Sequence, residues 1–453
     1  MRQLGPKPWS LANEPGSDTP LQMMDVWNFE YFRVVYAKEF SLFLGTSVWE
    51  TLVLRAALTE RCILNAVLAL GALSRNAVPS SVRKKPALPP EFPIRYSLTK
   101  YNQAIQELNG RLAASPSSWE LAVLGSLIFI VVESIQGNYD VAQMHLRGAL
   151  AILKSCELSS DGSPQPRADL AHVLNAFSRL HGQSLGLQEH YIHTSLRFPV
   201  LPPAFGNISE ARSFINSITG AINSLFWKGA TQNDGLLQLP SNPALERDLS
   251  ILLGLLDSWN ALFSRFINCH VMDTKTESCI KILLIHHRVA RISALVYFNS
   301  SELAYDAYTS DFSTIVDLAT KIIAAEQNPS TSRTQSSPNF TFDITLVQPL
   351  FFVACKCRDS TLRRYAIDVM ENIRGQSFCD IRLLTRVARR VVTLEESQGS
   401  TSGMSPCIIE EQDRLRDIEL DFNIAATCTI RAWKRLDGGE LSEVIAHLHM
   451  SSP

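Results

Sequence analysis

The sequence has 453 residues, and its 42 Lys and Arg against 44 Asp and Glu leave a formal net charge of −2. That balance excludes a strongly cationic protein that coats nucleic acid by displacing its counterions. Hydrophobic residues make up 46% of the chain and charged residues 19%, which excludes a largely disordered chain and indicates a substantial core.

The nine cysteines are scattered along the chain from Cys62 to Cys428. An odd number at irregular spacing does not make a disulfide framework, so we expect a reducing compartment. The N-terminal residues lack the apolar stretch of a secretory leader. The longest apolar run, Leu121 to Val132, predicts a buried core helix and is too short to span a bilayer. These features predict a soluble intracellular protein.

Apolar residues recur at helical spacing along most of the chain. The clearest runs, in chain order, are Leu64 to Gly71, Ala142 to Leu153, Leu362 to Ile373 and Ile381 to Val391. Asp311 is typical of the first turn of a helix. Runs of strand length that alternate polar and apolar residues are hard to find. The pattern therefore predicts an all-α fold.

Three stretches interrupt the helical pattern. Residues 79–93 contain five prolines, and residues 327–338 and 396–406 are rich in Ser, Thr, Pro or Gly. Because the pattern resumes after each, we interpret them as loop insertions in one large multi-helix domain over residues 23–450. A disordered segment over residues 1–22 is expected to precede it.

Two short motifs resemble catalytic signatures, but neither stands in the context that catalysis requires. Gly182–Gly186 reads G-x-S-x-G, yet the segment before it is periodic as a helix, whereas a nucleophile elbow follows a strand. Ser97–Lys100 reads S-x-x-K without its companion motifs. The sequence also has no phosphate-binding glycine loop. We predict no catalytic residue and no cofactor.

Candidate metal ligands occur only in spacings that do not suit a metal. The candidates are His190 with His193, the adjacent His286 and His287, and Cys355 with Cys357. The first pair lacks the H-E-x-x-H arrangement, neighbouring helical residues point about 100° apart, and the cysteine gap is not that of a C-x-x-C site. We predict no metal site.

Glu133 directly follows an apolar run and is expected to be buried. A buried carboxylate must be paired or neutralised, and His145 and Arg147 on the next predicted helix are candidate partners. Two interpretations stay open: a ligand-binding or catalytic acid in an internal pocket near Glu133 and His145, or a polar tie between two helices. We favour the tie.

Three basic clusters are candidate nucleic-acid contacts: Arg83–Lys85, Arg363–Arg364, and the group Arg386, Arg389 and Arg390. The first lies in the proline-rich stretch and also suits a nuclear-import signal. The last shares one helical face, and we interpret it as a solvated face compensated by Glu395 and Glu396. We therefore expect no autonomous sequence-specific DNA binding.

The helical segments also stand in a distinctive order and spacing. These segments are Trp27–Phe32, Ala66–Leu73, Tyr101–Leu108, Phe129–Asn138, His145–Leu153, Pro349–Ala354, Lys356–Asp359, Leu362–Ile367 and Val387–Glu396. As a set they resemble the regulatory domain of fungal zinc-cluster transcription factors, in particular the branch found among regulators of secondary-metabolite gene clusters. The resemblance covers roughly residues 23–435.

The resemblance implies a nuclear, non-enzymatic regulator that acts through protein partners, either the transcription machinery or a full-length zinc-cluster factor, with no membrane contact. The family's zinc cluster needs six cysteines within about thirty residues. Here the first cysteine is Cys62, so the zinc ligands have no counterpart. We therefore expect DNA to be contacted only indirectly, unless an N-terminal module is missing from the sequence.

Overall fold

The computed structural model describes most of the chain. The described residues are 20–37, 47–77, 91–114, 119–158, 173, 177, 198–231, 242–269, 274–299, 301–327, 340–341, 346–373, 376–377, 380–397, 409–423, 427–436 and 439–449.

The N-terminal helices enclose the first of three hydrophobic cores. These elements are α1 (Pro20–Tyr31) with a π-helical continuation (Phe32–Tyr36), a π-helical stretch (Ser47–Val53) that continues into α2 (Leu54–Thr59), α3 (Arg61–Ala77), α4 (Glu91–Ala114), α5 (Trp119–Gln136) and α6 (Tyr139–Leu158). Their core contains Phe32, Trp49 and Leu70, all fully buried.

Helix α5 lies in the middle of this first core. Its length and composition would allow it to cross a membrane, but 67% of it is buried inside the protein. Leu127, Ile130 and Val131 are fully buried there. The core helix of a globular protein meets the same criteria as a membrane span, and the packing of α5 matches the buried helix that residues 121–132 predict.

Three long helices form the middle core: α7 (Ile208–Thr231), α8 (Pro243–Cys269) and α9 (Thr274–Val296). Trp259 of α8 is fully buried at its centre. Its indole N–H donates a hydrogen bond of 2.7 Å to the carbonyl of Ala211, and its ring stacks on Phe263 and His287. An aromatic residue with a satisfied polar group thus ties the three helices together.

The third core takes buried residues from the four α-helices and the last three strands among the remaining elements. These remaining elements are a 3₁₀ helix (Glu302–Tyr308), α10 (Thr309–Gln327), α11 (Val347–Lys356), α12 (Ser360–Glu371), α13 (Ile381–Glu396), a 3₁₀ turn (Glu411–Asp413), and five strands, β1 (Phe340–Thr341), β2 (Gln376–Ser377), β3 (Arg416–Asn423), β4 (Thr427–Arg435) and β5 (Leu441–His449). Asp359 and Asp380 cap α12 and α13, because each carboxylate accepts a backbone N–H of the first turn.

Helix α9 belongs to two cores at once. Leu283 and Ala294 are part of the middle core, whereas Ile285 and Ile292 are part of the third core. A helix that is apolar on two faces is buried between two layers. α9 therefore joins the middle and C-terminal parts of the described chain.

The fold is predominantly α-helical, as predicted, but residues 416–423, 427–435 and 441–449 form strands that the prediction did not include. Strands β3, β4 and β5 form an antiparallel sheet in that order. Cys428, Ile430 and Ala432 of β4 point into the third core. A bulge between Arg416 and Glu419 places Asp417 at a φ of 50°.

The four periodic runs all lie in helices, namely α3, α6, α12 and α13, although α12 ends two residues before Ile373. Asp311 lies in the first turn of α10, as predicted. Helix α1 begins at Pro20, so the last three residues of the segment 1–22 are helical.

The predicted loops lie largely outside the described residues. Helix α4 begins at Glu91 and has Pro93 in its first turn. Proline lacks a backbone N–H, but the N–H groups of a helix's first turn have no acceptor within the helix, so proline is tolerated there. The last three residues of the 79–93 stretch are therefore helical. Gln327 and Glu396 are the last residues of α10 and α13, and the residues from 398 to 406 are not described. The single domain over residues 23–450 stays a prediction.

Candidate functional site

A tight turn between α5 and α6 builds the first polar cluster. Gly137 has a φ of +79°, a left-handed conformation that glycine adopts without strain and that ends α5. The N–H of Asn138 donates to the carbonyl of Glu133 at 2.9 Å. Because α6 begins at Tyr139, the two helices lie side by side, and Glu133 comes close to His145.

Four side chains meet in this cluster: Tyr101, Glu133, Asn138 and His145. Glu133 is only 5% exposed, and its carboxylate accepts a hydrogen bond of 2.7 Å from the Asn138 amide. The Tyr101 hydroxyl of α4 lies 3.1 Å from Nε2 of His145. The Phe129 ring packs against the rings of Tyr101 and His145 at 5.2 and 5.3 Å.

Burial controls the protonation of this cluster. It lowers the pKa of His145, and the negative charge of Glu133 opposes that shift only in part. Burial also raises the pKa of Tyr101, and the hydrogen bond and charge of Glu133 raise it further. At neutral pH the cluster therefore consists of an uncharged phenol and an uncharged imidazole beside one carboxyl group.

The structure brings Glu133 and His145 together as predicted, but Arg147 is exposed on α6 and is not part of the cluster. Sequence reasoning missed Tyr101 and Asn138. Asn138 could have been found, because it follows the glycine that ends α5. Tyr101 lies 44 positions from His145, so no sequence pattern around either residue indicates that they are in contact. The mutual hydrogen bonds of the four side chains are those of a polar tie between α4, α5 and α6.

A larger group of charged side chains, here called the charge network, is buried near the third core. Its members are Glu302, Lys356, Arg358, Arg363, Glu395 and Arg414. Glu395 has a fully buried side chain and accepts hydrogen bonds from Arg363 at 2.6 Å, Arg358 at 2.9 Å and the Leu415 N–H at 2.7 Å.

The charge network connects the C-terminal segment to the helices. Arg414 donates two hydrogen bonds of 2.8 Å to Asp306 and one of 3.1 Å to the Glu302 carbonyl. The Lys356 ammonium lies 2.9 Å from both carboxylate oxygens of Glu302. Although burial alone would raise the pKa of Glu302, the charges of Lys356 and Arg358 bring that pKa below its ordinary value. Glu302 is therefore ionised at neutral pH.

Three arginines of the predicted basic clusters have acidic partners within the fold. Arg363 is fully buried against Glu395, and Arg364 pairs with Glu396. Arg389 pairs with Glu371 at 2.7 Å and lies 3.6 Å from Asp368.

The prediction that Glu395 and Glu396 compensate this arginine face was wrong for Arg389. Its acidic neighbours are Glu371 and Asp368. The two carboxylates at the end of α13 face α12, and they neutralise Arg363 and Arg364 there instead. Arg83–Lys85 lies outside the described residues.

Within the described part of the chain, no group of three or more His, Cys, Asp or Glu side chains is arranged to hold a metal ion. Cys355 and Cys357 are buried, and burial raises the pKa of Cys355 to about 12, so its side chain is a thiol and not a metal-binding thiolate. His287 Nε2 lies 3.1 Å from the Leu256 carbonyl. Residues 182–186, His190 and His193 lie outside the described residues.

His286 should make stability depend on pH. Burial and the charge of Arg212 lower its pKa to about 3, whereas an unfolded histidine titrates near about 6.5. Between these values only the unfolded chain gains the proton, so the free energy of unfolding falls as pH falls through this window. From pH 7.0 to 5.5 we expect His286→Gln to lose about 1 kcal/mol less stability than the unchanged protein, measured by urea denaturation.

The control for this pH effect is Ser258→Ala on α8, because Ser258 is exposed and carries no group that titrates in this pH window. That variant should lose as much stability on acidification as the unchanged protein. An equal loss in His286→Gln would show that His286 accepts its proton in the folded state.

Residues 29–227 match the family model of the fungal specific transcription factor domain. This region contains the first core and most of helix α7. The aspercryptin biosynthesis cluster-specific transcription regulator of Emericella nidulans is 23% identical over 331 residues, which are 70% of this chain and 53% of that protein. The chain thus matches about half the length of this curated relative. No solved structure matches the chain.

Proposed function

We propose that this chain is a transcription regulator and not an enzyme, and that it controls a secondary-metabolite gene cluster, because residues 29–227 match the fungal specific transcription factor domain and 331 residues are similar to a cluster-specific transcription regulator. It does so in the nucleus, through protein partners that its helical regulatory domain binds. These partners are the transcription machinery or a full-length zinc-cluster factor. DNA is reached indirectly through them.

One observation carries this proposal: the family match over residues 29–227 falls on helices that share a single hydrophobic core, apart from α7. The regulator from Emericella nidulans supports the finer assignment, because its name places it at one biosynthesis gene cluster. At 23% identity that assignment passes to this chain only as a proposal.

The charges of the described residues agree with indirect DNA contact. A protein that reads DNA holds arginine and lysine side chains toward phosphates and base edges. Here Arg358, Arg363 and Arg414 are buried against carboxylates, and the exposed Arg389 is paired with Glu371. These side chains stabilise the fold and are not positioned to neutralise phosphates.

Two measurements in the native fungus test the proposal together. A tagged full-length chain is expected in the nucleus, and deletion of its gene is expected to change the transcript levels of a set of adjacent biosynthetic genes. If the tagged chain stays outside the nucleus and deletion changes no transcript, the proposal is wrong. Re-expression of the chain in the deletion strain is the control, and it should restore both results.

The purified chain is expected to show no sequence-selective DNA binding. Nonspecific electrostatic binding weakens steeply with salt, so any weak retardation of a promoter fragment in a gel-shift assay should be lost at physiological ionic strength. An unrelated fragment of equal length is the control and should behave identically. Selective retardation of the promoter fragment that survives added salt would contradict the expectation of indirect contact.

A further inference from the structure

Among the described residues, β5 is an edge strand of the C-terminal sheet. Within the part of the chain that the structure describes, the sheet order is β3-β4-β5, and β5 pairs with β4 alone. The pairing runs without a bulge from Thr427 opposite His449 to Arg435 opposite Leu441. A regular nine-residue edge presents backbone N–H and C=O groups that are ready to pair with another strand.

The outward face of β5 carries three exposed side chains: Glu443, Ile445 and His447. Ile445 is 52% exposed, whereas its neighbour Ala446 is buried against the third core. Nδ1 of His447 lies 3.1 Å from the Thr429 hydroxyl of β4, which leaves Nε2 as its second hydrogen-bonding atom. An acid, an apolar residue and an imidazole thus follow one another at the two-residue spacing of one sheet face.

We propose that β5 pairs antiparallel with β5 of a second copy of this chain, around a two-fold axis at Ile445. In this register Glu443 stands opposite His447 of the other copy, and Ile445 stands opposite its own counterpart. The two three-stranded sheets then join into one six-stranded sheet. Two-fold symmetry makes the Glu443–His447 pair occur twice, once on each side of the central isoleucines.

The order of these side chains favours a second copy as the occupant of the edge. Directly opposed side chains on one sheet face interact, and acid–imidazole and apolar pairs stabilise such a ladder. A histidine N–H can donate to the Glu443 carboxylate whether or not the ring is charged. The outward side chains of one β5 strand are therefore complementary to those of a second β5 strand that runs antiparallel to it.

The same side chains also select this register over its neighbours. An axis shifted by two residues to Glu443 would place two carboxylates opposite each other, which is unfavourable. An axis at Val444 would place Glu443 opposite Ile445, and an axis at Ala446 would place Ile445 opposite His447, so neither neighbouring axis keeps the apolar pair. Among these axes, the one at Ile445 both pairs Glu443 with His447 and opposes the two isoleucines.

The first test is the solution mass of the full chain, measured by light scattering during gel filtration. We expect twice the 50.4 kDa chain mass for the unchanged protein and the single mass for Ile445→Lys, which sets two ammonium groups against each other at the axis. The matched control is Ile251→Lys on α8, because Ile251 is also a half-exposed isoleucine, at 42%. That variant should remain dimeric.

A symmetric cross-link tests the axis itself. Opposed residues of an antiparallel pair have Cα atoms about 4.5–5.5 Å apart, which a disulfide can bridge. Ile445→Cys should therefore form a covalent dimer under mild oxidation, whereas Glu443→Cys should not, because its own counterpart lies across the axis. The unchanged protein is run beside them, since Cys269 is exposed.

A charge exchange completes the design. Glu443→Lys should weaken the dimer, and the double variant Glu443→Lys with His447→Glu should restore it. A monomeric unchanged protein, a dimer that persists in Ile445→Lys, or equal cross-linking at positions 443 and 445 would overturn the proposal. Circular dichroism of each variant shows whether it has folded, and the charge exchange keeps the test valid if Ile445→Lys does not fold. None of these measurements depends on the proposed function.

Discussion

Glu395→Ala is expected to lower the free energy of unfolding by about 3–5 kcal/mol, the loss typical of breaking a buried ion pair from one side. The Glu395 side chain is fully buried and accepts hydrogen bonds from Arg358, Arg363 and the Leu415 N–H. Among the described residues, its removal leaves Glu396, 3.9 Å away, as the one carboxylate within 4 Å of the fully buried Arg363. A buried guanidinium without a close carboxylate is strongly unfavourable.

The control for this variant is Glu371→Ala. Glu371 also pairs with an arginine, Arg389, at 2.7 Å, but both side chains are about half exposed. Exposed pairs contribute at most about 1 kcal/mol, so Glu371→Ala should change the urea midpoint little. If the two variants lose equal stability, the charge network does not hold the C-terminal segment as described.

Gly71→Ala is expected to destabilise the protein by about 1–3 kcal/mol, although alanine normally favours a helix over glycine. A Cβ atom built on Gly71 would lie 2.3 Å from the carbonyl oxygen of Asn28. That oxygen belongs to the backbone of α1, which packs directly on α3. The clash cannot be relieved by rotating a side chain, so the two helices must move apart and the first core must loosen.

Gly148→Ala in α6 is the matched control, because a Cβ atom there meets nothing within 4 Å. It should stabilise the protein by about 0.5–1 kcal/mol, since only the helix preference remains. Thermal and urea midpoints of both variants measure the difference. The expected result is that Gly71→Ala lowers the stability and Gly148→Ala raises it. Stabilisation by Gly71→Ala would contradict the close approach of α1 and α3.

The helices could be predicted from the sequence because each buries one stripe of its own surface. The spacing in Ala142 to Leu153 and Ile381 to Val391 encodes that stripe within a few turns. The sheet escaped prediction because β4 turns the small residues Cys428 and Ala432 inward while Trp433 lies on the outward face, opposite the exposed Glu443. Such a strand lacks the clear alternation of large apolar and polar residues.

The polar cluster could be predicted in part and the charge network could not. Glu133 and His145 stand on consecutive helices joined by a short turn, so adjacency along the chain indicates adjacency in space. Glu302, Arg363 and Arg414 come from three separate elements. Which carboxylate meets which guanidinium depends on how those elements pack, and Glu395 lies near several arginines in the sequence without any sign that Arg358 and Arg363 are its partners.

The two-sided helix α9 has a consequence for how the protein unfolds. Because its residues complete the middle core and the third core together, neither core can open without exposing apolar surface of the other. A substitution on either face of α9 should therefore destabilise both cores. The described elements from α7 to β5 are then expected to unfold in one cooperative step. A destabilising substitution in one of these helices should therefore also lower the stability of the others.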